Sequence, residues 1–257
     1  MQHKLSVLII TKNEEQHITA LLPSLDFADE IVIVDSGSTD KTVESAKSFG
    51  AKVLFRAFDY HAAQKNWGLT QLNNDWVLVI DADERVPNEL KEEIISILNR
   101  EHIQEKAFWI KRTNFLMGEK VKYSGWQNDK VIRLFDNSCC KYNDKLVHEE
   151  VETKEKIGVL THRLEHYTYK NFKTYFDKLQ KYSTQKAIIK SKKYKSVGLY
   201  HLIVKPGAKF FKRFVIEKGF LDGKIGIVIS SMAAFHDFLV YLKVWRIKNG
   251  EDIDSLD

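Results

Sequence analysis

The feature that most constrains the fold is an alternation of apolar runs with segments of helical periodicity over the first 100 residues. Runs rich in Ile, Leu and Val predict buried strands at residues 5–10, 30–35, 52–55 and 75–81. Apolar residues at helical spacing predict helices at 14–25, 38–50, 60–72 and 87–100. Strands that alternate with helices form a parallel sheet covered on both faces. The sequence therefore predicts an α/β fold with a mainly parallel central sheet.

The periodicity changes after residue 105. Strand patterns occur at residues 107–115, 119–124, 130–136 and 157–167, and helical patterns return from about residue 170 to residue 248. We expect an α/β domain at residues 1–167 and a helical C-terminal region at 168–257. The apolar run "IGIVISSMAAF" has eleven residues, whereas a membrane-spanning helix needs about 20. No transmembrane segment is predicted.

Basic residues are concentrated in the later part of the chain. Residues 167–218 contain 14 Lys and Arg residues and only two acids, Asp177 and Glu217, whereas the first 166 residues are mildly acidic. Lysines interleaved with aromatic residues suit an anionic membrane surface or nucleic acid, and a solvated helical face is the plain alternative. The acidic first part argues against nucleic acid. The two adjacent cysteines and the lack of a signal-peptide pattern favour the cytoplasm.

Polar residues follow three of the predicted strands, at 11–14, 35–38 and 81–84. The carboxyl ends of parallel strands meet at one edge of a sheet, which is where α/β proteins bind ligands. The last cluster, "DADE", places three acids within four positions. Crowded carboxylates repel one another and lose hydration, so this edge requires a compensating positive charge.

Four interpretations of "DADE" are open. The motif could form a solvated strand end, provide Asp81 as a phosphatase-type nucleophile, belong to a nucleotidyltransferase, or bind a divalent cation. A phosphatase usually has a hydroxyl and a lysine in later motifs, and a nucleotidyltransferase has a Gly-rich loop where this chain has "TKNEE". Hard divalent cations take oxygen ligands and commonly retain substrate phosphates in their coordination shell.

The motifs "LSVLIITKNEEQHI", "EIVIVDSGSTDKT", "AAQKNWGL" and "WVLVIDADERV" together resemble those of a family 2 glycosyltransferase. The resemblance implies a GT-A fold, a Rossmann-like domain that binds nucleotide sugars. The later segments "VIRLFD", "VHEEV", "LEHYTY" and "GFLDGKIG" resemble, more loosely, the subgroup of β-glucosyltransferases that build the lipopolysaccharide core.

The resemblance also implies roles for individual residues. Those expected to bind the nucleotide sugar are Thr11, Asn13, Glu14, Asp35, Gly37, Ser38, Lys65, Asn66, Asp81 and Arg133. Mn²⁺ or Mg²⁺ is expected as cofactor, held by Asp83, Asp81 and His166. Plainer alternatives stay open, because Lys65 suits a surface position and His166 a structural role. Asp40 and Asn13 also suit helix N-caps.

An inverting transferase needs a base that deprotonates the acceptor hydroxyl. The family takes this acid from a segment after the metal motif, and "HEE" at 148–150 is the best match, so we choose Glu149. On a strand, Glu149 and Glu150 would face opposite ways. Asp129 is the rival base, and two surface acids are the plain alternative.

The resemblance thus implies an inverting, metal-dependent transferase that uses a UDP-linked hexose such as UDP-glucose. Its acceptor would be a lipid-linked saccharide, and the enzyme would lie peripherally on the inner face of the cytoplasmic membrane. No nucleic-acid partner is expected. Two alternatives are a polyprenyl-phosphate glycosyltransferase and a catalytically inactive scaffold that retains nucleotide-sugar binding.

Overall fold

The computed structural model describes residues 2–145, 149–169 and 171–252, and the chain divides into two units. The first unit comprises residues 1–113 and 129–166, and the second comprises residues 114–128 and 167–257. The second unit therefore includes a segment, 114–128, that the sequence-based division assigned to the first domain.

Strands of the first unit build the central sheet. The strands of the chain are β1 Leu5–Thr11, β2 Glu30–Asp35, β3 Lys52–Phe55, β4 Trp76–Asp81, β5 Glu84–Arg85, β6 Ala107–Leu116, β7 Glu119–Val121, β8 Lys130–Asp136, β9 Lys141–Tyr142, β10 Val151–Glu152 and β11 Ile157–Tyr169. The sheet order is β3-β2-β1-β4-β8-β6-β11-β5. The first four strands pair in parallel, and β8 adds antiparallel to β4. The predicted α/β class with a parallel central sheet is confirmed.

Four helices of the first unit follow the predicted pattern with shorter bounds, namely α1 Glu15–Leu21, α2 Thr42–Ser48, α3 His61–Leu69 and α4 Asn88–Leu98. A 3₁₀ helix, Leu22–Leu25, replaces the last predicted turn of α1. Pro23 lies in its first turn, and proline disfavours continuation of an α-helix because it lacks a backbone N–H. The N-cap of α1 is Glu14, so the predicted capping role of Asn13 was wrong.

Alternation along the strands places side chains in two separate cores. One core joins α1 and α4 to the strand residues Leu5, Val7, Ile9, Ile33, Leu78 and Ile80. The other joins α3 to the intervening strand residues Leu8, Val32, Val34, Val77 and Val79. Each fully buried aliphatic side chain contributes roughly 1.5–3 kcal/mol. The apolar runs are therefore continuous because both faces of the sheet are covered.

The parallel register brings the polar strand ends together. Thr11 of β1 is opposite Asp35 of β2, and Ile10 is opposite Asp81 of β4. The three predicted clusters consequently share the carboxyl edge of the sheet. This edge is the part of the first unit that positions the candidate active site.

The second unit is mainly helical, as predicted. It contains α5 Phe172–Ser191, α6 Lys205–Phe211 and α7 Lys224–Lys248, with π-helical turns at Tyr200–Val204 and Lys212–Ile216 and a 3₁₀ helix at Gly219–Asp222. The Nζ of the buried Lys243 on α7 bonds Thr184 Oγ1 on α5 at 2.5 Å. The side chain of Trp126 packs in a small apolar cluster with Leu116 and Ile229.

The motif "GFLDGKIG" forms the junction between the 3₁₀ helix and α7. Both carboxylate oxygens of Asp222 accept hydrogen bonds from the 122–124 segment, including Tyr123 N–H at 3.0 Å and Ser124 Oγ at 2.8 Å. Gly226 allows the backbone of α7 to approach the carbonyl of Gly219. The motif therefore has a structural role within the second unit.

One helix of the described residues, α7, is long and apolar enough to cross a membrane by length and composition, with a mean hydropathy of 1.7 in its most apolar window. The expectation of no transmembrane segment rested on the eleven-residue apolar run, whereas the apolar window of α7 continues past His236 and Asp237. The core helix of a soluble protein passes the same test, and 28% of the window is buried.

We predict that Gly226→Ala destabilises the protein by about 1–3 kcal/mol or more. A Cβ at this position would lie 1.8 Å from the carbonyl oxygen of Gly219, which is backbone and cannot rotate away. The matched control is Gly207→Ala, because a Cβ there meets nothing within 4 Å and alanine favours the helix by about 0.5–1 kcal/mol. Urea unfolding measures both, and equal stabilities of the two variants would contradict the prediction.

Candidate active site

The loop after β1 is tied to the loop after β2 by side-chain and backbone hydrogen bonds. Asn13 has a left-handed φ of 56°, and its Oδ1 accepts the N–H of Thr39 at 2.7 Å. The N–H of Asn13 donates to Ser38 Oγ, and the N–H of Glu14 donates to Thr42 Oγ1, both at 2.8 Å. These predicted nucleotide-binding residues therefore hold the two loops together at the carboxyl edge.

Asp35 organises the turn that follows β2. Its Oδ2 accepts the N–H groups of Gly37 and Ser38 at 2.8 and 2.9 Å, and its Oδ1 accepts the Ser38 hydroxyl at 2.5 Å. Gly37 has a φ of 85°, a conformation that favours glycine. A carboxylate has about four acceptor sites, and these three bonds occupy three of them. Asp40 Oδ1 accepts the N–H of Thr42 at 3.0 Å, at the start of α2.

A chain of alternating charges crosses the site below these loops. We call it the charge chain, and its members in order are Glu149, Lys65, Asp81, Arg133, Glu84, Arg112 and Asp129. Lys65 Nζ lies 2.8 Å from Glu149 Oε1 and 3.3 Å from Asp81 Oδ1. Arg133 contacts the other oxygen of Asp81. The positive charge that the acidic strand end requires is therefore supplied by two protein cations.

The second half of the charge chain is centred on Glu84, which is completely buried. Its Oε1 lies 2.8 Å from Arg133 Nη2 and 3.3 Å from Arg112 Nη1, and its Oε2 accepts the N–H of Asp81 at 3.0 Å. Arg112 also binds Asp129 through Nε and Nη2, at 2.9 and 2.8 Å. The rival base Asp129 is thus held by a bidentate ion pair.

Burial and ion pairing have opposite effects on the pKa values in the charge chain. Burial opposes ionisation of Asp81, but Arg133 and Lys65 together hold its pKa well below the usual range. Burial likewise disfavours the charged form of Lys65, yet Asp81 raises its pKa above the usual value. The pKa of Glu149 is lowered because Lys65 outweighs its partial burial. All three groups are therefore charged at neutral pH.

Asp83 and His166 form a separate pair beside the charge chain. Asp83 Oδ2 lies 3.6 Å from His166 Nε2, and their side chains are 29% and 15% exposed. The pairing of β5 with β11 places His166 opposite Glu84, next to the turn that carries Asp83. The described residues contain no group of three His, Cys, Asp or Glu side chains that could hold a metal. Mg²⁺ sites often use one or two carboxylates together with substrate phosphates, so the carboxylate of Asp83 fits such an ion.

Three predicted residues have environments that the sequence did not indicate. The amide of Asn66 exchanges hydrogen bonds with the backbone of Tyr142, at 2.9 and 3.0 Å, and so positions β9. Asp81, a predicted metal ligand, has both oxygens against cations. Thr11 is 6% exposed, and its buried Oγ1 has no hydrogen-bond partner within the described residues.

His148 of the segment "HEE" lies outside the described residues. Its other two residues, Glu149 and Glu150, are described and do not belong to a strand. Glu149 is half-buried against Lys65, whereas Glu150 is exposed and pairs with Lys145 at 2.9 Å. Arg112 and Glu84 were not assigned functional roles from the sequence, because their partners are distant along the chain. Arg85 donates hydrogen bonds to the carbonyls of Ala82 and Glu84.

Comparison with known proteins identifies the family of the chain. Residues 6–143 match the sequence profile described as glycosyl transferase family 2. The chain belongs to this family. The predicted family and the predicted transferase class are thereby confirmed, and the matched residues include β1 to β4 with all three polar strand ends.

Relatives of this family 2 glycosyltransferase align along nearly its full length. An uncharacterized glycosyltransferase of Rickettsia typhi is 32% identical over 253 residues, covering 94% of this chain and 86% of the relative. The lipopolysaccharide core biosynthesis glycosyltransferase LpsC of Rhizobium meliloti is 28% identical over 250 residues, covering 94% and 92%. Among solved structures, glucosyl-3-phosphoglycerate synthase from Mycobacterium tuberculosis is similar with a TM-score of 0.35 and 26% identity, over 44% of each chain.

We predict that Glu84→Gln lowers the free energy of unfolding of this glycosyltransferase by about 3–5 kcal/mol. The substitution removes the buried charge that compensates both Arg133 and Arg112. Glu150→Gln is the matched control, since its pair with Lys145 is 67% and 55% exposed and such pairs contribute about 0–1 kcal/mol. Urea denaturation of both variants gives the comparison, and a small loss for Glu84→Gln would show that the charge chain is not needed for stability.

Proposed function

We propose that this glycosyltransferase transfers a hexose from a UDP-linked donor, with inversion and with a divalent cation, to a lipid-linked acceptor in cell-envelope glycan synthesis. The observation that carries the proposal is the meeting of Lys65, Arg133 and the Asp83–His166 pair at the carboxyl edge of the sheet. This arrangement supplies both protein cations and candidate metal ligands where the predicted donor lies.

The site has unsatisfied polar atoms of the kind that a donor would use. Thr11 Oγ1 and Arg133 Nε are buried and have no hydrogen-bond partner within the described part of the chain. Leaving a buried polar group unpaired costs about 1–3 kcal/mol, so a ligand that bonds these atoms is favoured. The remaining acceptor site of Asp35 suits a ribose hydroxyl or a base N–H.

The departing diphosphate needs its developing negative charge stabilised. Lys65 and Arg133 are both almost fully buried and both stay charged. Such fixed cations act strongly where water is excluded. A divalent cation held by Asp83 and His166 would supply further electrophilic stabilisation of the diphosphate.

Glu149 is the proposed base. It is linked to Asp81 through Lys65, whereas Asp129 is held by Arg112. Because the pKa of Glu149 is lowered, the carboxylate is ionised at neutral pH and ready to accept a proton from a hydroxyl. The same lowering of the pKa makes Glu149 a weaker base. This favours a second candidate function, which is transfer of the sugar to a polyprenyl phosphate. A polyprenyl phosphate is already an anion and needs little deprotonation.

The lipid-linked acceptor and a peripheral position on the inner face of the cytoplasmic membrane are supported by the second unit. The segment from residue 199 to residue 221 exposes the large apolar side chains Leu199, Tyr200, Ile203, Val204, Phe211, Val215, Ile216, Phe220 and Leu221. Lysines interleave with them. Apolar residues together with lysines suit an anionic leaflet, with about 1 kcal/mol from each nearby lysine. The name of the Rhizobium relative supports a lipopolysaccharide-core acceptor.

We predict that UDP-glucose with Mn²⁺ stabilises the protein, by about 2.7 kcal/mol at a hundred times the dissociation constant. Asp83→Ala and His166→Ala should each remove most of this stabilisation, because the cation loses a ligand. A thermal-shift screen of UDP-glucose and other UDP-hexoses, with and without Mn²⁺, measures the effect.

Asp26→Ala is the matched control, because the Asp26 side chain is 62% exposed and precedes β2, at the opposite end of that strand from Asp35. Stabilisation that survives in Asp83→Ala, or that does not depend on Mn²⁺, would contradict the metal assignment. Donor binding without any sugar transfer or hydrolysis would instead identify an inactive scaffold.

We predict that Glu149→Gln lowers the rate of transfer to a hydroxyl acceptor by about 10²–10⁴-fold, the usual contribution of a general base. The rate with undecaprenyl phosphate as acceptor should serve as the comparison. Equal rates for wild type and variant with that phosphate, and no transfer to core oligosaccharide by either, would establish the second candidate function. Asp129→Asn tests the rival base in the same assay.

A further inference from the structure

A cavity of about 280 Å³ lies within the second unit. Its lining residues come from the end of β11, from α5, from α6 and the π-helical turn that follows it, and from α7. Small-molecule sites usually measure about 300–1,000 Å³. The cavity is therefore large enough for a single charged group and small for a whole nucleotide sugar.

The charges around this cavity are unbalanced. Lys186, Lys209 and Arg213 line it, and Asp237 is the one acid among its lining residues. Arg213 is fixed by Glu217, 2.7 Å away, and by the carbonyl of Ser124 at 3.0 Å. Neither Lys186 nor Lys209 makes an ion pair within 4.0 Å to any described residue. Asp237 is therefore the one lining carboxylate that offsets the charges of these two lysines.

The pKa values reflect this imbalance. The pKa of Lys209 is lowered by burial and by the neighbouring charge of Arg213, although Asp237 opposes the effect. The pKa of Asp237 is also lowered, because the hydrogen bond with His236 and the charges of Lys186 and Lys209 outweigh its burial. Positive charges are therefore close enough to repel one another. An anion in the cavity would relieve this repulsion.

The segment that carries Lys209 and Arg213 has two distinct faces. These two residues are four apart, which is helical spacing, and both line the cavity. Phe211 and Ile216, on the same segment, do not line it and are 56% and 65% exposed. Tyrosines and a histidine add hydrogen-bonding groups to the cavity wall. The cavity combines one fixed cation, Arg213, and two lysines with neutral donors, a composition that suits a phosphate group.

We propose that this cavity binds a phosphate group of an anionic ligand, carried either by a membrane lipid headgroup or by a soluble phosphate. Lys186 and Lys209 contact the phosphate oxygens, and Arg213 adds positive charge from its fixed position. The site is separate in chain position from the proposed donor site, and it does not depend on the sugar transfer.

The test compares Lys186→Gln and Lys209→Gln with Lys212→Gln. Lys212 is next to Arg213, but it does not line the cavity and is 62% exposed, so its variant loses the same charge outside the site. One arm titrates inorganic phosphate by calorimetry. The other measures cosedimentation with vesicles of phosphatidylcholine alone or mixed equally with phosphatidylglycerol. Any phosphate that binds at the charge chain contributes equally to all variants.

Affinity should fall at least about tenfold in each cavity variant, since a hydrogen bond to a charged group contributes about 1.5–3 kcal/mol, and should change little in Lys212→Gln. Selective loss with mixed vesicles identifies a lipid headgroup, and selective loss with inorganic phosphate alone identifies a soluble ligand. Equal losses in all three variants, or no binding in either arm, overturn the proposal. Lys209→Arg should retain binding, and melting temperatures near wild type show that each variant is folded.

Discussion

The candidate active site depends on the ion pairs that Arg133 makes with Asp81 and Glu84. Arg133 and Glu84 are almost completely buried, and an isolated charge at either position would be costly. Each of these buried charges is stabilised because the neighbouring members of the charge chain carry the opposite charge. The charge chain starts at Glu149 and ends at Asp129, whose side chains are 15% and 27% exposed. Its arrangement fixes the carboxyl edge of the sheet before any ligand binds.

This arrangement separates two tasks that the motif "DADE" seemed to combine. Asp81 and Glu84 are compensated by protein cations, and Asp83 faces His166 on a different strand. A divalent cation is therefore not required to neutralise the strand end. Under the proposed function it serves the diphosphate alone. Lys65 contacts both Asp81 and Glu149, so a change in charge at the proposed base is felt directly at the proposed donor site.

The second unit uses its sequence motifs differently. Asp222 and Gly226 of "GFLDGKIG" stabilise a turn and a close helix contact, and neither function requires a ligand. The lysines of α5 and α6 are distributed between the cavity and the exposed surface. A count of basic residues predicts attraction to anions, but it does not distinguish a bounded phosphate site from a diffuse membrane surface. That distinction depends on which lysines face the same cavity.

The fold of the first 100 residues could be predicted because its signals are local. Strand and helix periods, Pro87 before α4 and polar residues at strand ends are all visible over short stretches of sequence. The short pairs β5–β11 and β9–β10 were missed, since two-residue strands have no period. The N-cap at Glu14 was missed because Asn13 instead bonds Ser38 and Thr39 of the neighbouring loop, and the early end of α1 follows from Pro23.

The sequence by itself determined the family, the parallel order of polar strand ends and the candidate residues Lys65, Asp81, Asp83, Arg133, Glu149 and His166. Only the tertiary structure decided their pairing. Lys65 and Glu149 are 84 positions apart, and Arg133 and Asp81 are 52 apart. Ion pairs between such distant residues form only when the folded sheet brings them together. The sequence shows the sign of each charge, but it does not show which residue becomes its partner. The physical reason is that packing sets the distances, and distance and burial set the strength of every charge interaction.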